Sequence, residues 1–152
     1  DSGCQPRMPR AGDLLLAVED AVIAAQNAVT AASSFGIGSC YIGDIMEQCE
    51  EHREMLQLPR YVFPAAMLVF GYPTEQQKNR QKPPRCDLQY IVHENSYQRM
   101  DGPVLRKMFG TKLGDHTYET WFQAFCTRKY NSDFAREMNR SVEVYLQDFQ
   151  SD

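Results

Sequence analysis

The nine residues GIGSCYIGD, at positions 36–44, combine glycines, an aromatic ring and a carboxylate as ligand-binding turns do. Two well-known glycine-rich loops do not fit them. A dinucleotide-binding loop requires a third glycine where Tyr41 stands, and a P-loop requires lysine where Asp44 follows Gly43. The stretch also follows a long helical pattern, whereas a dinucleotide loop follows a strand.

The backbone of this stretch could still bind a ligand. Gly36 and Gly38 permit left-handed dihedral angles, and Gly38 would let a ligand approach the main chain closely. The amides around Ile42, Gly43 and Asp44 come at the start of the next helix, where they have no intrahelical partner. Such amides suit an acceptor atom on a planar ring or a phosphate.

Tyr41 and Ile42 would add flat apolar surface beside that ligand. An alternative interpretation is a plain glycine turn that ends one helix before the next begins. Composition alone favours this alternative.

Other residue types that carry chemistry are scattered along the chain. The cysteines form no CxxC pair, and the histidines lack metal-ligand spacing, so we predict reduced thiols, a cytoplasmic protein and no metal site. No Cys–His, Ser–His or paired-carboxylate arrangement is evident, so no catalytic side chain is predicted. The residues concerned are Cys4, Cys40, Cys49, Cys86 and Cys126, with His52, His93 and His116.

Length and composition are those of a globular domain. The 152 residues, 43% hydrophobic and 24% charged, suit a single domain over 1–152. The net charge of −4 argues against a nucleic-acid partner, because no basic face offsets it.

A long helix is predicted from Leu14 to Phe35, capped by Asp13 and ended by Gly36. Its polar residues share one sector, and the rest of its surface is apolar. We therefore expect it in the middle of a domain or at the interface of a homodimer. It is interrupted by too many polar residues for a membrane span. The polar sector consists of Glu19, Asp20, Gln26, Asn27, Thr30, Ser33 and Ser34, and the first four of these interrupt the apolar run.

Two strands and several shorter helices complete the predicted structure. Residues 61–73 read as a strand buried on both faces, paired from Ala65 onward because Pro64 lacks an amide proton, and residues 90–93 as a second strand. Helices are predicted over 44–58, 105–109, 118–125 and from about Ser132 onward. Two strands are too few for a stable sheet, so further strands must come from a partner chain or an absent N-terminal part.

Four stretches of the chain resemble one family in its own order. They are DAVIAAQNAVTAASSFGIGSCYIGDI, LPRYVFPAAMLVFGYPT, RQKPPRCDLQYIVHENSY and RKYNSDFAREMNRSVEVYL. Together they resemble the central helix and turn, the next strand, the basic phosphate segment and the C-terminal helix of the nitroreductase family. That family comprises FMN-dependent NAD(P)H oxidoreductases.

The resemblance implies an α+β homodimer, with a long interface helix, helices packed on a small mixed sheet, and FMN held between subunits. The main chain of Tyr41, Ile42 and Gly43 would lie along the flavin ring, with one amide reaching N5. Lys82 and Arg85 would bind the FMN phosphate. These five residues are the predicted cofactor-binding residues.

Two departures from the family pattern qualify this assignment. Two prolines separate Lys82 from Arg85 where the family often has one, which makes Arg80 an alternative phosphate ligand. The family's Arg-rich opening segment has no counterpart in the sequence. We therefore expect the family's N-terminal elements to be absent from it.

The resemblance also implies a reaction. Hydride would pass from NAD(P)H to FMN and then to a small electron-poor acceptor, a nitroaromatic or a quinone, in a ping-pong cycle. Two alternatives stay open. One is another flavin chemistry on the same scaffold, reductive dehalogenation or flavin fragmentation, and the other is a non-catalytic dimerisation module that has lost its cofactor.

Overall fold

The computed structural model describes residues 3–150, which divide into two compact units. The first unit contains the described residues up to Lys78 and those from Asp133 onward, and the second contains Asn79–Ser132. The first unit carries the long helix, both strands of the described chain and the C-terminal helix. A single domain over 1–152 stays a prediction.

Helix α1 spans Ala11–Ser34 and begins close to the predicted position. Asp13 caps it from the third helical position, because its carboxylate accepts a 2.8 Å hydrogen bond from the Arg10 amide. The same carboxylate binds the Arg7 guanidinium at 2.6 Å, and this hydrogen bond is the main reason that the pKa of Asp13 falls to about 2. Gly36 ends the helix in the left-handed conformation, with φ of +72°, as predicted.

Most of the apolar surface of α1 lies open on the chain itself. Leu14 is its single buried residue, while Leu15, Leu16 and Ile23 are more than 60% exposed. By length and composition, this helix could also cross a membrane. The argument from its polar residues against a membrane span therefore does not hold by these two criteria. A core helix of a soluble protein passes the same test.

Strands β1 (Gly38–Ile42) and β2 (Met67–Gly71) form an antiparallel pair, in register from Gly38 opposite Gly71 to Ile42 opposite Met67. The β1 strand was not predicted, and β2 is shorter than predicted. The expectation that residues 61–73 are buried on both faces was wrong, since Val69 and Phe70 are 49% and 44% exposed. A two-stranded ribbon has too little surrounding structure to cover both its faces.

Gly38 serves the strand pair and has no left-handed dihedral angle, contrary to the sequence-based expectation. A Cβ atom at this position would lie 3.3 Å from the Gly71 carbonyl oxygen. The glycine therefore allows close approach of the neighbouring strand. The expected approach of a ligand at Gly38 has no support in this geometry.

After the strand, a 3-10 turn over Asp44–Met46 leads into α2 (Cys49–Leu56), in agreement with the prediction of short helices. Helix α6 (Asp133–Gln147) caps α2 from the side. Its Ser141 hydroxyl accepts a 3.0 Å hydrogen bond from the Cys49 amide, and its Glu137 carboxylate accepts one of 3.0 Å from the Gln48 amide. Amides at the start of α2 that lack intrahelical partners are thus satisfied by α6.

The core of the first unit lies between α2, α6 and the segment before β2. Tyr145 is fully buried, with the Phe63 ring edge-on at 5.3 Å and the Arg53 guanidinium 4.6 Å from its ring centroid. Burial raises the pKa of the Tyr145 hydroxyl. Phe149, also buried, meets Tyr61 edge-on at 5.7 Å. Helix α6 therefore contributes Tyr145 to the core, and the residues just after it contribute Phe149.

The acidic groups around Arg140 predict a loss of stability at low pH. The Arg140 guanidinium binds Glu50 on α2 and Glu137 on its own helix, and these hydrogen bonds lower the pKa of both carboxyls to about 2 from 4.5. Because the folded-state pKa values are depressed, this contribution is complete above pH 4.5 and is lost as the pH falls toward 2. Urea unfolding at several pH values should show this decline, and Arg140→Gln should flatten it. An unchanged slope in Arg140→Gln would contradict the assignment.

The second unit contains α4 (Gly102–Phe109) and α5 (Tyr118–Lys129), close to the predicted ranges. Side-chain oxygens of Asp101 and Thr117 cap them, accepting hydrogen bonds from the amides of Val104 and Thr120. Aromatic rings from both helices pack together, with Phe109 edge-on to Phe122 at 5.0 Å. A short helix α3 (Glu75–Asn79) follows β2.

The second strand predicted at residues 90–93 was wrong. The chain instead forms a 3-10 turn over Leu88–Tyr90, and the amides of Ile91 and Val92 both donate to the Leu88 carbonyl. These local hydrogen bonds leave the segment without a strand partner. Ile91 and Val92 are 58% and 63% exposed, so no buried sheet face requires them.

Candidate functional site

The turn that follows β1 presents backbone donors at its surface. Gly43 has φ of −80° and ψ of −19°, and its carbonyl accepts a 3.1 Å hydrogen bond from the Met46 amide that closes the 3-10 turn. Over residues 3–150, no group accepts a hydrogen bond from the amides of Asp44 and Ile45. Donors of this kind suit a ligand acceptor atom.

Gly43 does not need the left-handed conformation that the sequence left open. Its dihedral angles lie in the right-handed region, and the nearest atom to an added Cβ would be Met46 Cε at 3.8 Å, an ordinary contact. The fold alone therefore tolerates a side chain at position 43. What the glycine provides is free space directly above the backbone of the turn.

Tyr41 and Ile42 flank these donors at the end of β1. The Tyr41 ring is 39% exposed, and its hydroxyl donates to Gln26 Oε1 on α1 at 3.4 Å. Ile42 is half-buried. Tyr41, Ile42 and Gly43 thus follow one another from the end of β1 into the turn, and Tyr41 is joined to Gln26, which the sequence placed only in the polar sector of α1.

The turn rests on a charged layer formed by α2 and α6. The Glu47 carbonyl accepts a 2.6 Å hydrogen bond from the His52 ring, so this histidine has a structural role. Arg53 binds the Asp148 carboxylate at 2.7 Å, and Arg60 binds the same group at 3.2 Å. These contacts hold the chain after the turn against the C-terminal segment within the first unit.

Lys82 and Arg85 lie in the second unit, on an irregular segment between α3 and the turn at Leu88. Both are exposed, as is Arg80. In the described part of the chain, none of the three has a hydrogen-bond or ion-pair partner. Their charges have no internal role that would compete with an external anion.

The other polar side chains that could have bound a ligand or a metal ion do not form such a site in the described residues. His93 Nδ1 accepts a 3.0 Å hydrogen bond from the Gln98 amide, and its ring meets Tyr97 edge-on. No group of three or more His, Cys, Asp or Glu residues between positions 3 and 150 could hold a metal ion. The unpaired amides of the turn are therefore candidate binding groups, beside the exposed cations of the second unit.

The turn lies within a part of the chain that is similar to known proteins. Residues 3–72, which include α1, both strands and the turn, match the model of the nitroreductase family. The chain is 41% identical over 97 residues to an oxygen-insensitive NADPH nitroreductase of Salmonella typhimurium, an alignment that covers 64% of this chain and 39% of that protein. It is 40% identical over 83 residues to an FMN reductase (NADPH) of Bacillus subtilis, covering 55% and 32% respectively.

Solved structures extend the likeness to the second unit. The NADPH:FMN oxidoreductase of Vibrio harveyi, solved in complex with NAD+, superposes with a TM-score of 0.67 over 93% of this chain and 59% of that protein, at 25% identity. The chain spans about two fifths of the nitroreductase it matches and a third of the FMN reductase. Residues 3–72, with the long helix, both strands and the turn, thus match the nitroreductase family, and the described chain shares the α+β fold of these solved structures.

Proposed function

We propose that the chain is part of an FMN-dependent oxidoreductase that passes hydride from NAD(P)H to an electron-poor acceptor, a nitroaromatic or a quinone, in a ping-pong cycle. The observation that carries this proposal is the turn after β1. It carries amides, those of Asp44 and Ile45, that no group of the described chain accepts from, close to Tyr41 and within the residues that match the family. The relatives named above as an NADPH nitroreductase and an FMN reductase support the same chemistry.

The residues of the turn fit a flavin ring. FMN would supply the redox chemistry, since it accepts and returns a hydride at its ring. The main chain of Tyr41, Ile42 and Gly43 would border the ring, and a backbone amide of the turn would donate to N5. An amide at that position stabilises negative charge on the ring without needing to move. The exposed Tyr41 ring would cover one edge.

Lys82 and Arg85 are proposed to bind the phosphate of FMN. Their exposed and unpaired state within the described residues supports this role, and Arg80 is the alternative ligand. Arginine offers a planar fork to phosphate oxygens, whereas lysine offers a point charge. Pro83 and Pro84 restrict the connection between the two cations and so reduce the entropy lost on binding.

No side chain of this protein is proposed to transfer a proton or attack the substrate. Two alternatives stay open: another flavin chemistry on the same scaffold, reductive dehalogenation or flavin fragmentation, and a dimerisation module without a cofactor. The backbone donors of the turn favour a flavin protein over the module, because a module that only dimerises has no use for them.

The visible absorption spectrum of the purified protein tests the proposal. Bound FMN makes the protein yellow, and the released cofactor can be identified by mass after heating. We expect stoichiometric FMN. A colourless protein that does not take up added FMN would favour the dimerisation module.

We further propose that the protein is a cytoplasmic homodimer with α1 at the subunit interface. The support is the exposed apolar surface of α1, including Leu16 and Ile23, which lie two turns apart on one face. A stable dimer buries about 1,200–2,000 Å² in total, and a helix of 24 residues can supply a large part of this area.

Light scattering at micromolar concentration should therefore give the mass of a dimer. Exchanging both apolar residues, Leu16→Asp with Ile23→Asp, should shift the mass to that of the monomer, whereas Glu19→Ala on the same helix should not. A monomeric unmutated protein would contradict the proposal. It would instead indicate that α1 is covered within one subunit.

A further inference from the structure

The second unit carries a groove along α5 that the proposed flavin site does not use. The groove has a volume of about 340 Å³ and is lined by His116, Thr120, Trp121, Ala124, Phe125 and Arg128. Five of these six residues follow one face of α5 at helical spacing. The volume is within the range of pockets that bind small molecules.

One wall of the groove carries two parallel aromatic rings. The rings of Trp121 and Phe125 are stacked, with centroids 5.3 Å apart and an interplanar angle of 8°. Phe109 and Phe122 pack against Trp121 at 5.6 and 5.3 Å and hold its indole in place. Small side chains at Thr120 and Ala124 leave room beside this wall. A planar aromatic ring would therefore find a preorganised stacking surface.

A cation without an acidic partner stands at the end of the same wall. The Arg128 guanidinium lies 5.9 Å from the Phe125 ring centroid, and no carboxylate between positions 3 and 150 pairs with it. Arg106, by contrast, pairs with Glu119 and lies over the Tyr118 ring. Arg128 can therefore bind an external anion without breaking an ion pair of the described chain.

The charge of the whole unit favours the same ligand. Residues 79–132 contain nine Lys and Arg against five Asp and Glu, a formal charge of +4, although the whole chain carries −4. A surface of this sign attracts anions over a distance of about a Debye length.

We propose that this groove binds a small planar aromatic carboxylate, with its ring against the aromatic wall, parallel to the stacked rings of Trp121 and Phe125, and its carboxylate bound to Arg128. The aromatic wall favours an aromatic ring, and the unpaired guanidinium favours a negative group. The site lies within the second unit and needs no flavin. Its test and the test of the proposed function can therefore fail independently.

Trp121 makes the site directly observable, because it is the single tryptophan of the chain. Titration of the 152-residue chain with 4-nitrobenzoate should quench its fluorescence with saturation, at a dissociation constant of roughly 1 mM or below. The uncharged 4-nitrobenzamide should bind about tenfold more weakly, because it lacks the charged hydrogen bond. Cyclohexanecarboxylate, an anion without an aromatic ring, should not displace the nitrobenzoate.

Arg128→Gln should remove the preference for the acid over the amide while the emission maximum of Trp121 stays unchanged. Lys129→Gln, which removes the adjacent exposed cation, is the matched control and should leave the preference intact. Quenching that rises linearly without saturation would overturn the proposal. Equal binding of the acid and the amide would also overturn it, as would a preference for the acid that survives in Arg128→Gln. Loss of quenching at higher protein concentration would show that self-association closes the groove, which would overturn the proposal too.

Discussion

Gly43→Val is expected to lower the affinity for FMN by about 10- to 100-fold while the protein stays folded. The backbone at Gly43 is right-handed, and an added Cβ would meet nothing closer than Met46 Cε at 3.8 Å. The cost to folding should therefore be below about 1 kcal/mol, as for most exposed substitutions. The branched side chain would instead occupy the space where the flavin ring is proposed to lie.

Fluorescence titration with FMN and urea unfolding measure the two effects separately. Gly110→Val is the matched control, because Gly110 is also exposed, right-handed and at the start of a 3-10 turn, with open space around it. It should change neither quantity by much. Gly43→Val that retains full FMN affinity would contradict the position proposed for the ring. A large loss of stability would show that the glycine serves the fold.

Arg85→Ala is expected to raise the dissociation constant of FMN by about one to two decades. A hydrogen bond between charged groups contributes roughly 1.5–3 kcal/mol, and less where solvent screens it. Arg85 is exposed and has no partner within the described residues, so its removal should not disturb the fold. Isothermal titration with FMN measures the change.

Riboflavin, which lacks the phosphate, separates a phosphate ligand from a structural residue. In the proposed role, Arg85→Ala weakens FMN binding and leaves riboflavin binding nearly unchanged. Arg99→Ala, another exposed cation of the second unit, should affect neither ligand. Equal losses for both flavins would mean that the segment has collapsed. If neither flavin bound more weakly, Arg85 would be a solvated surface residue without a binding role, and Arg80 would be the remaining candidate for the phosphate ligand.

The helices followed from the sequence because their signals are local. Helix α1 was predicted from its apolar surface, from Asp13 near its start and from Gly36 at its end, and the structure places it at Ala11–Ser34. Helix α6 followed from apolar residues at helical spacing. Both depend on contacts within a few residues, so single-sequence patterns contain the information.

The strands depend on partners far along the chain, and here the sequence was insufficient. Strand β1 has a glycine, a serine and a cysteine in its first half, which suggest a turn, and only pairing with β2 makes it a strand. The apolar residues 90–93 have strand composition but find no partner, so their amides bond locally. The left-handed backbone conformation of Gln48 and Gln57, at the two ends of α2, could not be predicted either, because neither position has the glycine or asparagine that favours it.

The candidate site was predictable in part, where its features depend on local backbone geometry. Unpaired amides were predicted around Ile42, Gly43 and Asp44 from helix-end geometry; the structure leaves those of Asp44 and Ile45 without an acceptor, whereas Ile42 pairs with Met67 in the strand ladder. The link from the Tyr41 hydroxyl to Gln26 joins two elements and could not be read from spacing. The roles of Lys82 and Arg85 stay predictions.

The proposed ping-pong cycle on a bound flavin consists of two half-reactions, which can be observed separately on the purified protein without oxygen. NAD(P)H alone should bleach the visible absorption of the bound flavin, with the nicotinamide released in equimolar amount. Addition of a quinone or nitroaromatic after removal of the nicotinamide should then restore the absorption. Bleaching that requires both substrates at once, or a bound flavin that NAD(P)H does not bleach, would contradict the account.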